Sequence, residues 1–119
     1  MFKILIVDDD EDLLESLGRI LKLKGFGIYG LSNAEKTFEI VDVFKPDLII
    51  LDITLCNHDG RDICRKLKLN PATNKIKILL YSAIHDHEND YCEYGADGFL
   101  KKPFESIHLI DKINFHLSL

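Results

Sequence analysis

The acidic side chains with the clearest chemical potential stand at two widely separated places in the chain. Asp8, Asp9 and Asp10 follow one apolar run, and Asp52 follows another. Neighbouring carboxylates repel one another by about 1 kcal/mol at 4 Å in water, and by about 4 kcal/mol at an effective dielectric constant of 20. A Mg²⁺ ion would offset this repulsion, because it prefers oxygen ligands and retains waters that a phosphate can replace. The acids are therefore candidate metal ligands if folding brings them together.

Two further polar groups also end apolar runs. Ser82 offers a hydroxyl, and Lys102 offers a compact cation that suits phosphate. Each residue also has a purely structural interpretation when it is taken alone. A serine at a strand end usually bonds to backbone, a lone lysine is usually a solvated surface charge, and Asp10, Glu11 and Asp12 are typical of the start of a helix. The chemical interpretation depends on all these strand ends meeting at one place.

The elements that must position these residues are predicted from hydrophobic periodicity. Apolar runs, typical of strands covered on both faces, alternate with stripes at helical spacing. The runs are residues 2–7, 26–31, 48–51, 76–82 and 98–101. Ser32 and Glu35 have the spacing of a capping box at the start of the second helix. The fourth helix is expected to be polar and short, at roughly residues 86–94.

Five strands alternating with five helices predict an α/β fold. It is expected to be a flavodoxin-like, doubly wound five-stranded parallel sheet with strand order 2-1-3-4-5 and five helices. This order places the first and third strands side by side, about 4.8 Å apart. Asp8, Asp9 and Asp52 should then converge at the carboxyl edge of the sheet, where ligands bind in such folds.

Composition bounds the class of protein. The chain has 119 residues, 46% of them hydrophobic, and a net charge of -5, which together indicate one domain, residues 1–119, with a substantial core. No basic run predicts direct binding of nucleic acid, and no apolar stretch is long enough for a membrane span. The three cysteines are odd in number and form no C-x-x-C pair. They are therefore expected to be reduced thiols of a cytoplasmic protein.

As a set, five motifs in this order resemble the receiver domain of bacterial two-component response regulators, and the resemblance covers the whole chain. The motifs are ILIVDD (4–9), DLIILDITL (47–55), DG (59–60), YSA (81–83) and GADGFLKKPF (95–104). The resemblance implies that the protein is not an enzyme but a phosphoacceptor switch. Such a switch assists its own phosphorylation and dephosphorylation. Its phosphoryl donor would be a histidine kinase or a histidine phosphotransfer protein. Its further partners would be a second copy of the chain or an output domain.

The resemblance also implies the role of each site residue. Asp52 matches the phosphoacceptor. Asp9, Asp52 and the backbone carbonyl of Thr54 match the Mg²⁺ ligands, with Asp8 holding a metal-bound water. The residues that match the phosphate-binding and switch groups are Ser82, Ala83, Lys102 and the aromatic Phe99, and the Lys102–Pro103 peptide bond is expected to be cis.

Two further positions are implied to tune the lifetime of the phosphoryl group, and two features depart from the family pattern. Thr54 and Ile84 flank the path of the hydrolytic water, which an apolar Ile84 has no donor or acceptor to orient. Cys56 stands where the family usually has a proline, so the loop after the third strand should differ in shape. The stretch between Ala83 and Gly95 is about two residues shorter than is common, which favours a short or displaced fourth helix.

Two other functions fit this sequence less well. A small phosphatase of the haloacid dehalogenase type would use an aspartate nucleophile, and Asp8-x-Asp10 has the required spacing after a strand. The chain is short for that fold and lacks a clear second set of acids. A flavodoxin is disfavoured, because no Ser/Thr/Gly-rich phosphate loop follows the first strand and three acids there would repel a phosphate.

Overall fold

The computed structural model describes residues 1–83 and 91–119 of the chain. Its centre is a five-stranded sheet in which every neighbouring pair of strands is parallel. The strands are β1 (Lys3–Val7), β2 (Gly27–Leu31), β3 (Leu48–Asp52), β6 (Lys77–Ser82) and β7 (Gly98–Lys101). Their order is β2-β1-β3-β6-β7, which confirms the predicted order 2-1-3-4-5. A small antiparallel hairpin, β4 (Thr54–Leu55) and β5 (His58–Asp59), follows β3 and was not predicted.

In the described ranges, four helices cover the two faces of the sheet. They are α1 (Glu11–Leu23), α2 (Thr37–Phe44), α3 (Gly60–Leu69) and α4 (Ser106–Leu117). Where the fourth of the five predicted helices was expected, at roughly 86–94, the described part is a 3-10 turn, Tyr91–Tyr94, and the remainder of that prediction lies outside the described residues. Within the described part of the chain, no helix has the length and hydropathy to cross a bilayer.

The core consists of two layers, because successive residues of a strand point to opposite faces. Ile4 and Ile6 of β1 lie in the layer that contains Leu17 of α1 and Leu109 of α4. The alternate residues of the strands lie in the layer that contains side chains of α2 and α3. All of β3 is therefore buried, which explains its unbroken apolar sequence.

Helix starts agree with the sequence in one case and differ in another. The Asp10 side chain caps α1 by accepting from the backbone N–H groups of Asp12 (3.1 Å) and Leu13 (3.2 Å), as its structural interpretation implies. The capping box predicted for Ser32 and Glu35 is wrong, because Asn33 caps the element through a 3.1 Å bond from the Glu35 N–H. A 3-10 turn, Ala34–Lys36, comes before α2, so the helix itself begins later than the sequence pattern indicates.

Candidate functional site

The three predicted acids meet at the carboxyl edge of the sheet. Val7 of β1 is paired with Leu51 of β3, so the two strands end at the same level. Asp8, Asp9 and Asp52 each offer a carboxylate oxygen, and these three oxygens lie within 4.8 Å of one another. Asp8 is 1% exposed and Asp52 is 5% exposed, whereas Asp9 is exposed to solvent. The predicted convergence is confirmed, and one side of the cluster is open.

Both oxygens of Asp8 accept hydrogen bonds. Oδ1 accepts from the backbone N–H of Asp10 at 2.9 Å. Oδ2 accepts from Lys102 Nζ at 3.0 Å and from the hydroxyl of Tyr81. Asp8 is thus a fully buried carboxylate held by three donors, as a buried charge requires.

Asp52 is buried with less compensation. Its Oδ1 accepts from the backbone N–H of Thr54 at 3.1 Å, and its Oδ2 accepts from Lys102 Nζ at 3.3 Å. Burial raises the pKa of the Asp52 carboxyl to about 6; Lys102 opposes the rise, and the charge of Asp8 adds to it. Desolvation therefore outweighs the attraction of the lysine, and the ionised carboxylate is a group whose charge another cation would stabilise.

The hairpin after β3 fixes Asp9 and explains the departure at Cys56. The backbone N–H of Cys56 donates to Asp9 Oδ2 at 3.0 Å. A proline, which is usual in the family at this position, has no N–H and could not make this bond. The exposed carboxylate is therefore tied to the hairpin by a bond that depends on the replacement of proline.

Gly60 allows the start of α3 to approach the end of β3. Its N–H donates to the carbonyl of Ile53 at 2.8 Å. A Cβ atom at this position would overlap the carbonyl oxygen of Asp52 and would lie 3.0 Å from the Cα of Ile53. Only glycine fits here, which gives the predicted DG motif a steric reason.

The remaining predicted residues surround the acids on β6 and β7. Ser82 ends β6 at 1% exposure, and its carbonyl accepts from the Lys102 N–H at 2.9 Å. Phe99 is 7% exposed, and its ring stacks on Tyr91 with 6.1 Å between centroids. The Lys102–Pro103 peptide bond is cis, in agreement with the expectation. Ala83 and Thr54 are exposed near the site, whereas Ile84 lies outside the described residues.

Tyr81 is the site residue that the sequence analysis missed. It pairs with Asp52 in the β3–β6 register and is completely buried. Lys102 Nζ lies 4.3 Å from the centre of its ring. Burial, together with the hydrogen bond to Asp8, raises the pKa of the phenol, which therefore stays protonated and acts as a donor. A tyrosine directly after the aliphatic run 78–80 was the available signal, since a buried hydroxyl usually needs a partner.

The donor set fits a small divalent cation. Three carboxylates meet here, and Lys102 pairs with two of them, Asp8 and Asp52, so one positive charge balances part of a formal charge of about minus three. Carboxylate oxygens around a site open on one side match the preference of Mg²⁺ for a few protein ligands completed by water. The same residues could hold a phosphoryl group beside Asp52, with Lys102 as its counter-ion.

Comparison with known proteins identifies the class. Residues 4–114 match the family model described as the response regulator receiver domain. The chain belongs to this family. It is a receiver domain of response regulators in two-component systems, a phosphoacceptor switch, and this membership favours that function over the haloacid dehalogenase type of phosphatase.

Individual relatives agree with the family match. The chain is 35% identical over 116 residues to the sensory transduction protein BceR of Halalkalibacterium halodurans. This match covers 95% of the present chain and 48% of BceR. The receiver domain of a response regulator from Bermanella marisrubri superposes with a TM-score of 0.89 at 30% identity, covering 97% of both chains. A two-component response regulator from Clostridium difficile gives a TM-score of 0.90 at 29% identity, covering 99% of this chain and 97% of that one. The chain spans about half the length of several curated relatives that it matches.

Proposed function

We propose that Asp52 accepts a phosphoryl group from a phosphohistidine on a histidine kinase or a phosphotransfer protein. A carboxylate oxygen of Asp52 bonds to phosphorus as the bond from phosphorus to the imidazole nitrogen breaks. The imidazole leaves with the electron pair and takes up a proton. The observation that carries the proposal is the placement of Lys102 Nζ, 3.0 Å from Asp8 and 3.3 Å from Asp52.

Lys102 and the backbone orient the acceptor. The Thr54 N–H holds Oδ1 of Asp52 at 3.1 Å, which leaves the Oδ2 side facing the lysine. Lys102 draws negative charge to this side, and it would pair with the oxygens of a phosphoryl group once that group is attached.

A Mg²⁺ ion would be held by the carboxylates of Asp9 and Asp52 and by the backbone carbonyl of Thr54, with Asp8 accepting from a metal-bound water. The carboxylate oxygens of Asp8, Asp9 and Asp52 lie within 4.8 Å of one another, which supports the assignment. When bound, the ion supplies positive charge that offsets the negative charge developing on the transferred group.

The switch would pass from Asp52 to the surface formed by β7. Ser82 ends β6 and Ala83 follows it, and the hydroxyl of Ser82 and the backbone N–H of Ala83 are suited to bind phosphoryl oxygens. Movement of Ser82 would open a space beside it. The ring of Phe99 could turn into this space and leave its contact with Tyr91. A two-state surface of this kind can be shifted by a charge change at one end.

The length of the relatives and the net charge of the chain support a proposal about the partners of the domain. Residues 1–119 would form the receiver domain, with a homodimer interface or an output domain receiving its signal, since curated relatives are about twice as long. We place it in the cytoplasm, where its phosphoryl donors act. A net charge of -5 makes the domain itself unsuited to bind nucleic acid directly, and we propose that it switches a partner rather than turning over a substrate.

The test uses acetyl phosphate with Mg²⁺ and intact-protein mass spectrometry. The wild type should gain one stable phosphoryl group, and Asp52→Asn should gain none. Asp10→Asn is the matched control, because Asp10 caps α1 and asparagine caps equally well. A phosphatase would release phosphate without stable modification. Incorporation into Asp52→Asn at the wild-type level would refute the assignment.

A further inference from the structure

A buried phenol lies against the acidic cluster. The hydroxyl of Tyr81 donates to Oδ2 of Asp8, a residue 73 positions away in the chain. The same oxygen accepts from Lys102 Nζ at 3.0 Å. The ring of Tyr81 is held edge-on by Phe104, with 6.0 Å between centroids, so the hydroxyl has a fixed direction.

The hydrogen bonds of Asp8 use most of its capacity as an acceptor. A carboxylate offers about four lone-pair sites, two on each oxygen. Oδ2 accepts from both Tyr81 and Lys102, and Oδ1 accepts from the N–H of Asp10 at 2.9 Å. One site on Oδ1 remains for a cation or its bound water. Tyr81 also withdraws negative charge from Asp8, because a donor to an ionised acceptor makes a strong hydrogen bond.

We infer that Tyr81 is a positioning residue that keeps Oδ2 of Asp8 away from the metal and thereby weakens and directs cation binding at the site. This inference rests on the proposed Mg²⁺ site. Its consequence is that Asp9 and Asp52 are the carboxylates that contact the ion. Asp8 keeps one orientation whether or not the ion is bound.

The ring of Tyr81 makes a contact of its own, and this contact does not depend on the hydroxyl. Lys102 Nζ lies 4.3 Å from the ring centre, which is within the range of a cation–π contact. Tyr81→Phe keeps this contact and the packing against Phe104, and removes only the donor. Changes in the variant can therefore be assigned to the bond with Asp8.

The experiment is a titration of the unphosphorylated protein with MgCl₂, in which isothermal titration calorimetry measures the affinity for Mg²⁺. We expect Tyr81→Phe to bind Mg²⁺ about threefold to tenfold more tightly than the wild type, since one lone pair and some negative charge return to Asp8. Tyr29→Phe is the matched control, because Tyr29 lies on β2, is 38% exposed and packs on Phe44. Its affinity should equal that of the wild type.

A double-mutant cycle tests whether the effect passes through Asp8. In an Asp8→Asn background, Tyr81→Phe should leave the affinity for Mg²⁺ unchanged, whereas a general effect on packing would persist there. A Tyr81→Phe protein that binds Mg²⁺ as the wild type does, or more weakly, overturns the role of Tyr81 and leaves the metal site standing. A wild type that binds no Mg²⁺ overturns the inference and the proposed metal site together.

Discussion

Replacement of Asp52 by asparagine should stabilise the protein when no metal is present. The folded protein raises the pKa of this carboxyl from 3.8 to about 6, mainly through burial. A shift of about two units corresponds to roughly 3 kcal/mol of unfavourable free energy for the ionised form in the folded state. Asparagine removes this cost but must bury an amide beside Lys102. We therefore expect a net gain of about 1–2 kcal/mol in the free energy of unfolding at neutral pH.

The pH dependence identifies the cause. Because the folded protein holds this proton more tightly than the unfolded chain, the wild type loses stability as the pH rises from about 3.8 to about 6. Below that window both states are protonated and the cost is absent. Roughly half of the total cost should develop between about pH 5 and pH 7.5. The advantage of Asp52→Asn should therefore grow over this interval and level off above it.

The measurement is urea unfolding in EDTA, followed by far-UV circular dichroism, since the chain has no tryptophan for fluorescence. Asp10→Asn is the control, because it removes a nearby exposed charge while keeping the cap of α1. If Asp52→Asn is no more stable than the wild type at neutral pH, or if its advantage does not change with pH, the reasoning from burial is wrong.

Three further outcomes are expected. At about a hundred times its dissociation constant, Mg²⁺ should stabilise the wild type by about 2.7 kcal/mol in thermal melts, and a response of Asp9→Asn as large as that of the wild type would contradict the ligand role. Gly60→Ala should lower the free energy of unfolding, measured in urea, by on the order of 2 kcal/mol or more, because the new Cβ would overlap the Asp52 carbonyl. Gly18→Ala is the control: its Cβ would meet Ile28 Cγ2 at 3.6 Å, so the free energy of unfolding should be unchanged or higher. The phosphorylated wild type should decay about tenfold more slowly than Ile84→Glu in Mg²⁺ without kinase, a difference of about 1.4 kcal/mol in barrier, and equal decay would refute the water-positioning argument.

The sequence alone predicted the architecture and the location of the site. Strands covered on both faces must be apolar throughout, and β1 and β3 show this pattern directly. Once the strand order is chosen, the ends of β1 and β3 are neighbours, so Asp8 and Asp52 meet although 44 positions separate them in the chain. The acid cluster follows from periodicity and topology, without knowledge of any side-chain conformation.

The spacing of residues in the sequence did not predict which turn would form before α2. Ser32 and Glu35 fit a capping box, yet Asn33 makes the cap and a 3-10 turn comes before α2. Either side chain could accept from an N–H group of this segment, and the observed turn also buries Ala34 in the core. The short β4–β5 hairpin is a similar case, because strands of two residues have too little periodicity to detect.

The electrostatic character of the site was decided by tertiary structure. The bonds from Tyr81 to Asp8 and from the Cys56 N–H to Asp9 join residues 73 and 47 positions apart. Each depends on side-chain direction and loop path, to within a fraction of an ångström. The raised pKa of Asp52 likewise depends on how completely the neighbouring elements exclude water from its carboxyl. The sequence determined which groups meet at the edge of the sheet, and three-dimensional packing determined how strongly each is charged and held, because desolvation and hydrogen bonding act through space.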